Sequence, residues 1–260
     1  MLSKCLDMLP SQIVAHAVLV RHQPQLGSPD SSPDSRKANR QYAFGVTTEW
    51  LRPTENGAQR CWWPGDDEQY IQYHDTEWGR PVTDDTRLFE KLCLEGFQAG
   101  LSWLTILRKR ENFRTAFHAF DMDEVARFSE RDINRLLEDA GIVRHRGKIE
   151  ATINNAGRAL DLIDETGSLT DFIWGYAPDM PFGRDGDASH ASGVASISPS
   201  ATALSKDLKK RGWKFVGPTT VYSFMQSMGL INDHVEDCFV RDECELARLG
   251  VKLRRKLQSS

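Results

Sequence analysis

Apolar residues recur at helical spacing along most of the chain after residue 59. The segment TDDTRLFEKLCLEG begins with the capping residues Thr83 and Asp84, repeats apolar side chains three and four positions apart, and ends at Gly96. This pattern predicts an amphipathic helix with a polar start and a glycine stop. A second helix is predicted over 129–141, in the segment SERDINRLLEDAG, which opens with a weaker form of the capping box.

Three further segments repeat the same formula: GKIEATINNAGRALDLIDETG, SATALSKDLKKRG and GPTTVYSFMQSMG. The last has Pro218 just inside its start and Gly229 just past its end, the usual asymmetry of proline and glycine in helices. No alternating strand pattern of comparable quality is present, so we predict an all-α fold. The stretch 177–200 has the composition of a loop.

The ends of the chain differ in composition from its centre. Residues 24–57 are rich in Pro, Ser, Asp and Gly without a sustained period, which predicts a disordered N-terminal extension over 1–58. We expect a globular domain over 59–240 and a charged, partly helical tail over 241–260.

Charge and cysteine content narrow the setting. The formal net charge is −4, so binding to nucleic acid requires local basic patches. Five cysteines, an odd number in a chain of this size, favour a reducing compartment and metal or free-thiol roles. Polar residues and a proline interrupt the apolar run near the N-terminus, and no segment is long enough to cross a membrane, so we expect a cytoplasmic protein.

Two cysteines and two histidines stand in pairs at opposite ends of the globular region. His234 and Cys238 are four residues apart, a spacing that would place both on one face of a helical turn, while Cys61 and His74 lie far upstream. Together they could form a closed tetrahedral metal site, which would be structural because it leaves no open position. The alternative is that these are ordinary core residues, since the spacing matches no standard zinc finger.

Four long segments, taken together, carry a family resemblance. RCWWPGDDEQYIQYHDTEWG, LFEKLCLEGFQAGLSWLTILRKRENFR, AGIVRHRGKIEATINNA and LSKDLKKRGWKFVGPTTVYSFMQSMGLINDHVEDC closely resemble the 3-methyladenine DNA glycosylase I family. The resemblance implies a helix-hairpin-helix glycosylase fold and hydrolysis of the N-glycosidic bond of 3-methyladenine in alkylated DNA. It also implies that Cys61, His74, His234 and Cys238 hold one structural zinc ion that clamps the ends of the domain.

An enzyme that flips a base out of a duplex needs aromatic rings and hydrogen-bonding groups to hold it. Glu95 and Trp103 flank the helix break near Gly100, and Tyr70, Tyr73 and Trp78 lie upstream. Core packing is the alternative for the aromatic residues, whereas a carboxylate in an apolar helix needs a partner. By the resemblance, Glu95, the catalytic candidate, accepts hydrogen bonds from the base, and Tyr73 and Trp103 stack on it; Tyr70 and Trp78 are further substrate-binding candidates.

Two basic segments are candidates for DNA contacts, although a solvated surface is the alternative for each. The motif RHRGK joins two helices, and KDLKKRGWKFVGPTT leads into a helix start where backbone amides could bind phosphate. An apolar wedge could fill the gap left by a flipped base. The DNA-binding candidates are Leu101 as this wedge, with Arg144, Arg146, Lys148, Lys214, Gly217 and Thr219 at the backbone.

The leading hypothesis is a monomeric, monofunctional glycosylase that acts on double-stranded alkylated DNA in the nucleoid. No lysine is placed convincingly as a Schiff-base nucleophile, so we expect no strand-cleaving step. Two alternatives remain: a zinc-stabilised DNA-binding module without catalysis, and a nucleosidase that acts on free nucleosides. Asp233 lies near the hairpin where related glycosylases carry a catalytic aspartate, but it adjoins His234 and receives no catalytic role.

Overall fold

The structure, a computed structural model, describes residues 50–185 and 197–258. These residues form ten α-helices and one two-stranded antiparallel sheet, with single 3₁₀ turns at His118–Phe120 and Pro181–Gly183. The elements in chain order are β1 (Leu51–Pro53), β2 (Gln59–Cys61), α1 (Glu68–Thr76), α2 (Asp85–Gln98), α3 (Trp103–Ala116), α4 (Met122–Ala126), α5 (Glu130–Glu138), α6 (Arg146–Thr166), α7 (Leu169–Trp174), α8 (Pro199–Lys210), α9 (Pro218–Ser227) and α10 (Arg241–Gln258).

The five helices predicted from apolar periodicity are present as α2, α5, α6, α8 and α9. The Asp84 side chain caps α2 by accepting from the backbone N–H of Arg87 at 2.8 Å. The predicted end of α2 at Gly96 is wrong, because the helix continues to Gln98. A Cβ built at Gly96 would lie only 3.2 Å from Cβ of Phe215, so this glycine allows close packing inside the helix instead of stopping it.

The β1–β2 hairpin was not predicted. Its strands pair Leu51 with Cys61 and Pro53 with Gln59, and each contains three residues, too few to show an alternating pattern. The hairpin crosses the predicted boundary at residue 58, whereas residues 1–49 of the predicted extension lie outside the described residues. Its second strand ends at Cys61, so the hairpin places that thiol against the helical body.

Helix α2 runs through the centre of the fold. Every residue from Leu88 to Phe97 is buried, and the helix packs against α3, α6, α7 and α9. Burial on all sides is expected of a helix at the centre of a domain. Three of its buried residues are charged, namely Glu90, Lys91 and Glu95, and a charge inside a core needs a partner.

A second, smaller core lies where the two ends of the domain meet. It is built from Cys61, Val235, Cys238, Val240 and Cys244, with tryptophans from the hairpin region packed around it. Helix α10 starts beside this core. Its fully buried Arg248 donates to the carbonyl oxygens of Pro178 and Met180, both at 3.1 Å, and so attaches the helix to the domain. None of the helices in residues 50–185 and 197–258 has the length and apolarity needed to cross a membrane.

Candidate active site and metal centre

Three of the four predicted metal ligands meet inside the smaller core. The ligand atoms of Cys61, His74 and Cys238 all lie within 4.8 Å of one another, and all three side chains are buried. Sγ of Cys238 is 3.6 Å from Nε2 of His74. The fourth, His234, is also fully buried, and its ring centre lies 5.1 Å from that of His74.

Both imidazoles are oriented by their second nitrogen. Nδ1 of His74 lies 2.7 Å from a carboxylate oxygen of Asp75, and Nδ1 of His234 lies 2.8 Å from the amide oxygen of Asn232. Arg60 in turn holds Asp75 through two hydrogen bonds of 2.7 and 2.5 Å. Such contacts fix the proton on Nδ1 and leave Nε2 as the free lone pair, as in histidines that bind metals.

His234 provides the test of whether a metal fits. Its Nε2 is buried and has no hydrogen-bond partner among the residues that the structure describes. Burial lowers its pKa well below the usual value, so the ring stays neutral, as a ligand must be. A Cβ at Gly79 would lie 2.5 Å from Cε1 of this ring, so glycine is needed for the imidazole to fit. The donor set therefore fits a metal ion.

The pKa values of the Cys238 and Cys61 thiols are shifted in opposite directions. A hydrogen bond with Cys61 lowers the pKa of Cys238 to about 5; a hydrogen bond with His74 acts in the same direction, and burial opposes both. Burial and the neighbouring Cys238 raise the pKa of Cys61. Cys93 and Cys244 are also buried and free, but Cys93 belongs to the large core, and Cys244 is not in the group of three.

A buried carboxylate and two aromatic rings converge at the C-terminal half of α2. Glu95 is 5% exposed, and the rings of Tyr73 from α1 and Trp103 from α3 are tilted by 42° with their centres 5.5 Å apart. The three predicted pocket residues therefore come together from three different helices. We call Glu95, Tyr73 and Trp103 the aromatic–carboxylate cage.

The cage holds an ammonium group that the sequence analysis did not single out. Nζ of Lys91 lies 2.7 Å from the Glu95 carboxylate and 3.1 Å from the Tyr73 hydroxyl. It also sits 3.0 Å from the centre of the Trp103 ring, well within the range of a cation–π contact. The signal was available, because Lys91 and Glu95 are opposite charges four residues apart in a predicted helix, and such residues are neighbours on its surface.

Burial acts on the protonation of the whole cage. It raises the pKa of Glu95, an effect that the Lys91 ammonium opposes, and it lowers the pKa of Lys91 to about 8, which Glu95 opposes. Lys91 is still largely protonated at pH 7. Burial also raises the pKa of Tyr73, so its hydroxyl stays neutral and remains a hydrogen-bond donor.

Two further ion pairs form the wall beside the cage. Arg110 binds Glu77 with two hydrogen bonds of 2.5 and 2.9 Å, and Arg114 binds Glu90 at 2.9 Å. Their side chains line a small cavity next to Lys91, with a volume of about 30 Å³. That is about the volume of one water molecule in the liquid. A planar base does not fit in a cavity of this size.

The other two predicted substrate-binding residues lie one layer away. Trp78 is buried against the metal group, with its ring centre 4.6 Å from that of His234. Tyr70 stacks on Tyr73 at 6.4 Å. Trp63, which the sequence analysis missed, contacts Tyr70, Tyr73, His74 and Trp78 and so joins the cage to the metal group. We leave Trp78 out of the base pocket, and the role of Tyr70 stays a prediction.

The predicted DNA-contact segments meet on one side of the cage. Phe215, in the segment before α9, packs on Gly96 of α2, and its ring lies 6.4 Å from that of His145. Leu101 is 37% exposed in the loop after α2. The backbone around Lys214 is fixed by Asn155, which both donates to and accepts from it at 2.9 and 2.8 Å.

The basic residues of this face differ in what their charges do. Arg144, Arg146 and Lys214 are all exposed, but Arg146 is paired with Glu130 at 2.8 Å. Lys148 is buried and donates to the carbonyl oxygens of Phe97 and Ala99 at 2.8 and 2.6 Å. Its ammonium therefore fixes the end of α2 before Leu101, and the geometry does not support the predicted phosphate contact.

Helix α9 begins at Pro218, with Gly217 as its N-cap and Thr219 in its first turn. Within the described part of the chain no side chain caps this end, so its first backbone amides are available to another acceptor. Asp233 lies beyond the helix and is buried. It accepts from Gln226 at 2.8 Å, from Arg184 at 3.0 Å and from the Tyr222 hydroxyl, so its carboxylate is fully engaged.

Comparison with known proteins agrees with this geometry. The family model described as methyladenine glycosylase matches residues 63–241. DNA-3-methyladenine glycosylase 1 of Escherichia coli strain K12 is 51% identical over 180 residues, which cover 69% of this chain and 95% of the relative. DNA-3-methyladenine glycosylase of Haemophilus influenzae is 47% identical over 179 residues, with 69% and 96% covered.

Solved structures give the same result. A crystal structure of 3-methyladenine DNA glycosylase I shares 50% identity and a TM-score of 0.64, covering 70% of this chain and 98% of its own. The Staphylococcus aureus enzyme, solved to explain 3-methyladenine recognition, shares 43% identity and a TM-score of 0.63, with 68% and 93% covered. From the matched length and identity, this chain belongs to the methyladenine glycosylase family.

Proposed function

We propose that the protein removes 3-methyladenine from alkylated DNA by hydrolysing the N-glycosidic bond of a flipped-out nucleotide. Family membership supports this proposal, as do relatives that are named for that activity. The observation that carries it is the cage itself. A buried carboxylate and two electron-rich rings jointly hold a cation, Lys91, and an adenine methylated in DNA is also a cation.

The charge of the methylated base explains how such a cage can be selective. Glu95 accepts hydrogen bonds from a base edge that carries N–H groups, and the Trp103 and Tyr73 rings attract the positive ring. Unmethylated adenine is neutral and gains less from the same groups. Because the carboxylate is buried, its interaction with a cation is stronger than it would be in water.

The reaction itself needs little acid catalysis. When the bond from C1′ to the base breaks, the bonding electrons stay with the base, and the cationic base becomes neutral. The sugar acquires the positive charge and is captured by water, which then releases a proton. Asp233 already accepts from three side chains, so we assign it a structural role and give Glu95 the catalytic role of holding the base.

The face beside the cage is the proposed DNA-binding surface. We infer that Arg144, Lys214 and the backbone amides at Gly217 and Thr219 bind the phosphates of a duplex, because the exposed charges and the uncapped helix start lie on the same side. Leu101 is the proposed wedge, held in place by the two hydrogen bonds that Lys148 makes at the end of α2.

The metal proposal is a structural zinc ion held by Cys61, His74, His234 and Cys238. Two thiolates and two neutral imidazoles are a common ligand set of structural zinc sites, and the buried Nε2 of His234 has the lone pair that such a site would use. Four protein ligands leave no position for a substrate, so the ion would stabilise the joined ends of the domain. We propose 59–240 as the catalytic domain, with 1–58 and 241–260 as additions to it.

We further propose a monomer without strand-cleaving activity. Lys91 is the amine closest to Glu95 in the described residues, but its ammonium is engaged by Glu95 and Tyr73 and is not a free nucleophile. Alkylated duplex DNA incubated with the protein should release 3-methyladenine and leave an abasic site in an uncut strand. Borohydride should trap no covalent complex. Nicking together with a trapped complex would contradict the monofunctional proposal, whereas binding without base release would favour a DNA-binding module.

A further inference from the structure

We propose that Lys91 occupies the base position of the free enzyme and competes with the base for Glu95 and Trp103, so that it weakens the hold on the neutral product. This inference rests on the proposed function. It makes Lys91 a residue that determines which bases stay bound.

Lys91 contacts every member of the cage. Its Nζ lies 2.7 Å from Glu95, 3.1 Å from the Tyr73 hydroxyl and 3.0 Å from the centre of the Trp103 ring. An ammonium is a cation that carries only hydrogen-bond donors. It therefore offers the cage the same chemistry that we propose for a methylated base.

A flipped-out base and the Lys91 ammonium group cannot occupy the cage together. Lys91 is 6% exposed, and the open space beside it is about 30 Å³. A stacked purine would need the face of Trp103 that the ammonium now covers. Binding is therefore an exchange, in which Lys91 leaves Glu95 as the base arrives.

The displaced Lys91 ammonium group has two other carboxylates nearby. Glu77 and Glu90 line the same cavity as Lys91. Both are ion-paired with arginines, Glu77 with Arg110 and Glu90 with Arg114, so they can accept a further donor but already have a partner. Lys91 can therefore leave the cage and still contact a carboxylate. Its return to Glu95 remains favourable, because Glu77 and Glu90 already have arginine partners.

The charge of the base changes during the reaction, and this change determines whether the base or Lys91 binds Glu95. Before bond cleavage the base is a cation and can replace the ammonium at Glu95. After cleavage the electrons of the broken bond remain on the base, which becomes neutral and leaves Glu95 without an opposite charge. The returning Lys91 supplies that charge and displaces the product, so the free base should bind more tightly when Lys91 is absent.

The test is calorimetric titration with 3-methyladenine as the probe, comparing the wild type, Lys91→Met, Lys91→Gln and the exposed control Lys256→Met. We expect Lys91→Met to bind about tenfold more tightly, the effect of one contact of ~1.4 kcal/mol that no longer has to be broken. Lys91→Gln should be intermediate, because its amide still donates to Glu95, and Lys256→Met should match the wild type.

Added 3-methyladenine should also inhibit Lys91→Met more strongly in multiple-turnover excision. If Lys91→Met does not fold because Glu95 is left unpaired, the same substitution in a Glu95→Gln background carries no buried charge. There the tightening relative to Glu95→Gln alone should be smaller, since the carboxylate for which Lys91 competes is gone.

Two results separate the failure of this inference from that of the proposed function. A wild type that excises 3-methyladenine, with folded Lys91 variants that bind the free base equally or more weakly, overturns the competition alone. A wild type that neither excises nor binds 3-methyladenine overturns the proposed function, and the competition with it.

Discussion

Replacing Cys238 by alanine tests the proposed zinc clamp. The expected loss of stability can be worked out from the site. Cys238 is 4% exposed and belongs to the group with Cys61 and His74. Loss of one thiolate should abolish tight binding and leave the lone pair of His234 buried without a ligand. A ligand present at a thousand times its Kd stabilises the native state by ~4.1 kcal/mol, a reasonable lower limit for a structural zinc site.

For a domain of this size, each 1 kcal/mol shifts the Tm by ~2–4 °C, so the loss of ~4 kcal/mol should lower it by ~8–16 °C. Cys244→Ala is the matched control, because Cys244 is equally buried in the same small core but is not a proposed ligand. Metal analysis and thermal unfolding of both variants decide the matter. If the Cys238 variant kept one zinc per chain and the Tm of the Cys244 variant, the clamp would be wrong.

Three further predictions concern the DNA face and the N-terminus. Leu101→Ala should slow excision from duplex DNA by about tenfold but affect single-stranded substrate little, and equal slowing on both would argue against a wedge. Lys148→Met should lower stability by ~1–3 kcal/mol, since the buried carbonyl group of Phe97 and the carbonyl group of Ala99 lose their donor. It should also slow duplex excision while leaving 3-methyladenine affinity unchanged; unchanged unfolding would contradict this. Deleting residues 1–58 removes β1 and should lower the Tm, but excision by the folded fraction should persist; its loss would show that the extension takes part in function.

The helices could be predicted because their signals are local. The Asp84 cap, the apolar repeat of α2 and the proline at the start of α9 all lie within one turn of the feature they specify. The β1–β2 hairpin could not be predicted, because three-residue strands show no period. Gly96 was assigned to a helix end because its partner, Phe215, is distant in sequence and only folding brings the two together.

The sequence predicts only part of the site, because some of its contacts join residues that are distant along the chain. Glu95 and Trp103 were identifiable because a carboxylate in an apolar helix is unusual and an aromatic residue follows the helix break. The position of the Lys91 ammonium depends on Tyr73 and Trp103, which come from two other helices, and lysines are usually exposed. The sequence indicates a DNA contact for Lys148 because its basic motif is typical of one, whereas its carbonyl partners lie about fifty residues earlier in the chain and only folding brings them to it.

The charge of Glu95 is central to the proposed function, and one comparison tests its role. Glu95→Gln keeps the shape of the side chain but removes its charge and replaces an acceptor oxygen with a donor amide. Release of 3-methyladenine from alkylated duplex DNA is measured under single-turnover conditions for the wild type, this variant and the exposed control Glu138→Gln. A lost charged hydrogen bond and an unpaired donor should cost about 3 kcal/mol, so we predict a rate reduced roughly a hundredfold. Zinc content and duplex affinity should not change, and the control should match the wild type. A near-normal rate for the Glu95 variant would contradict the role of the cage, and no release by the wild type would contradict the proposed activity itself.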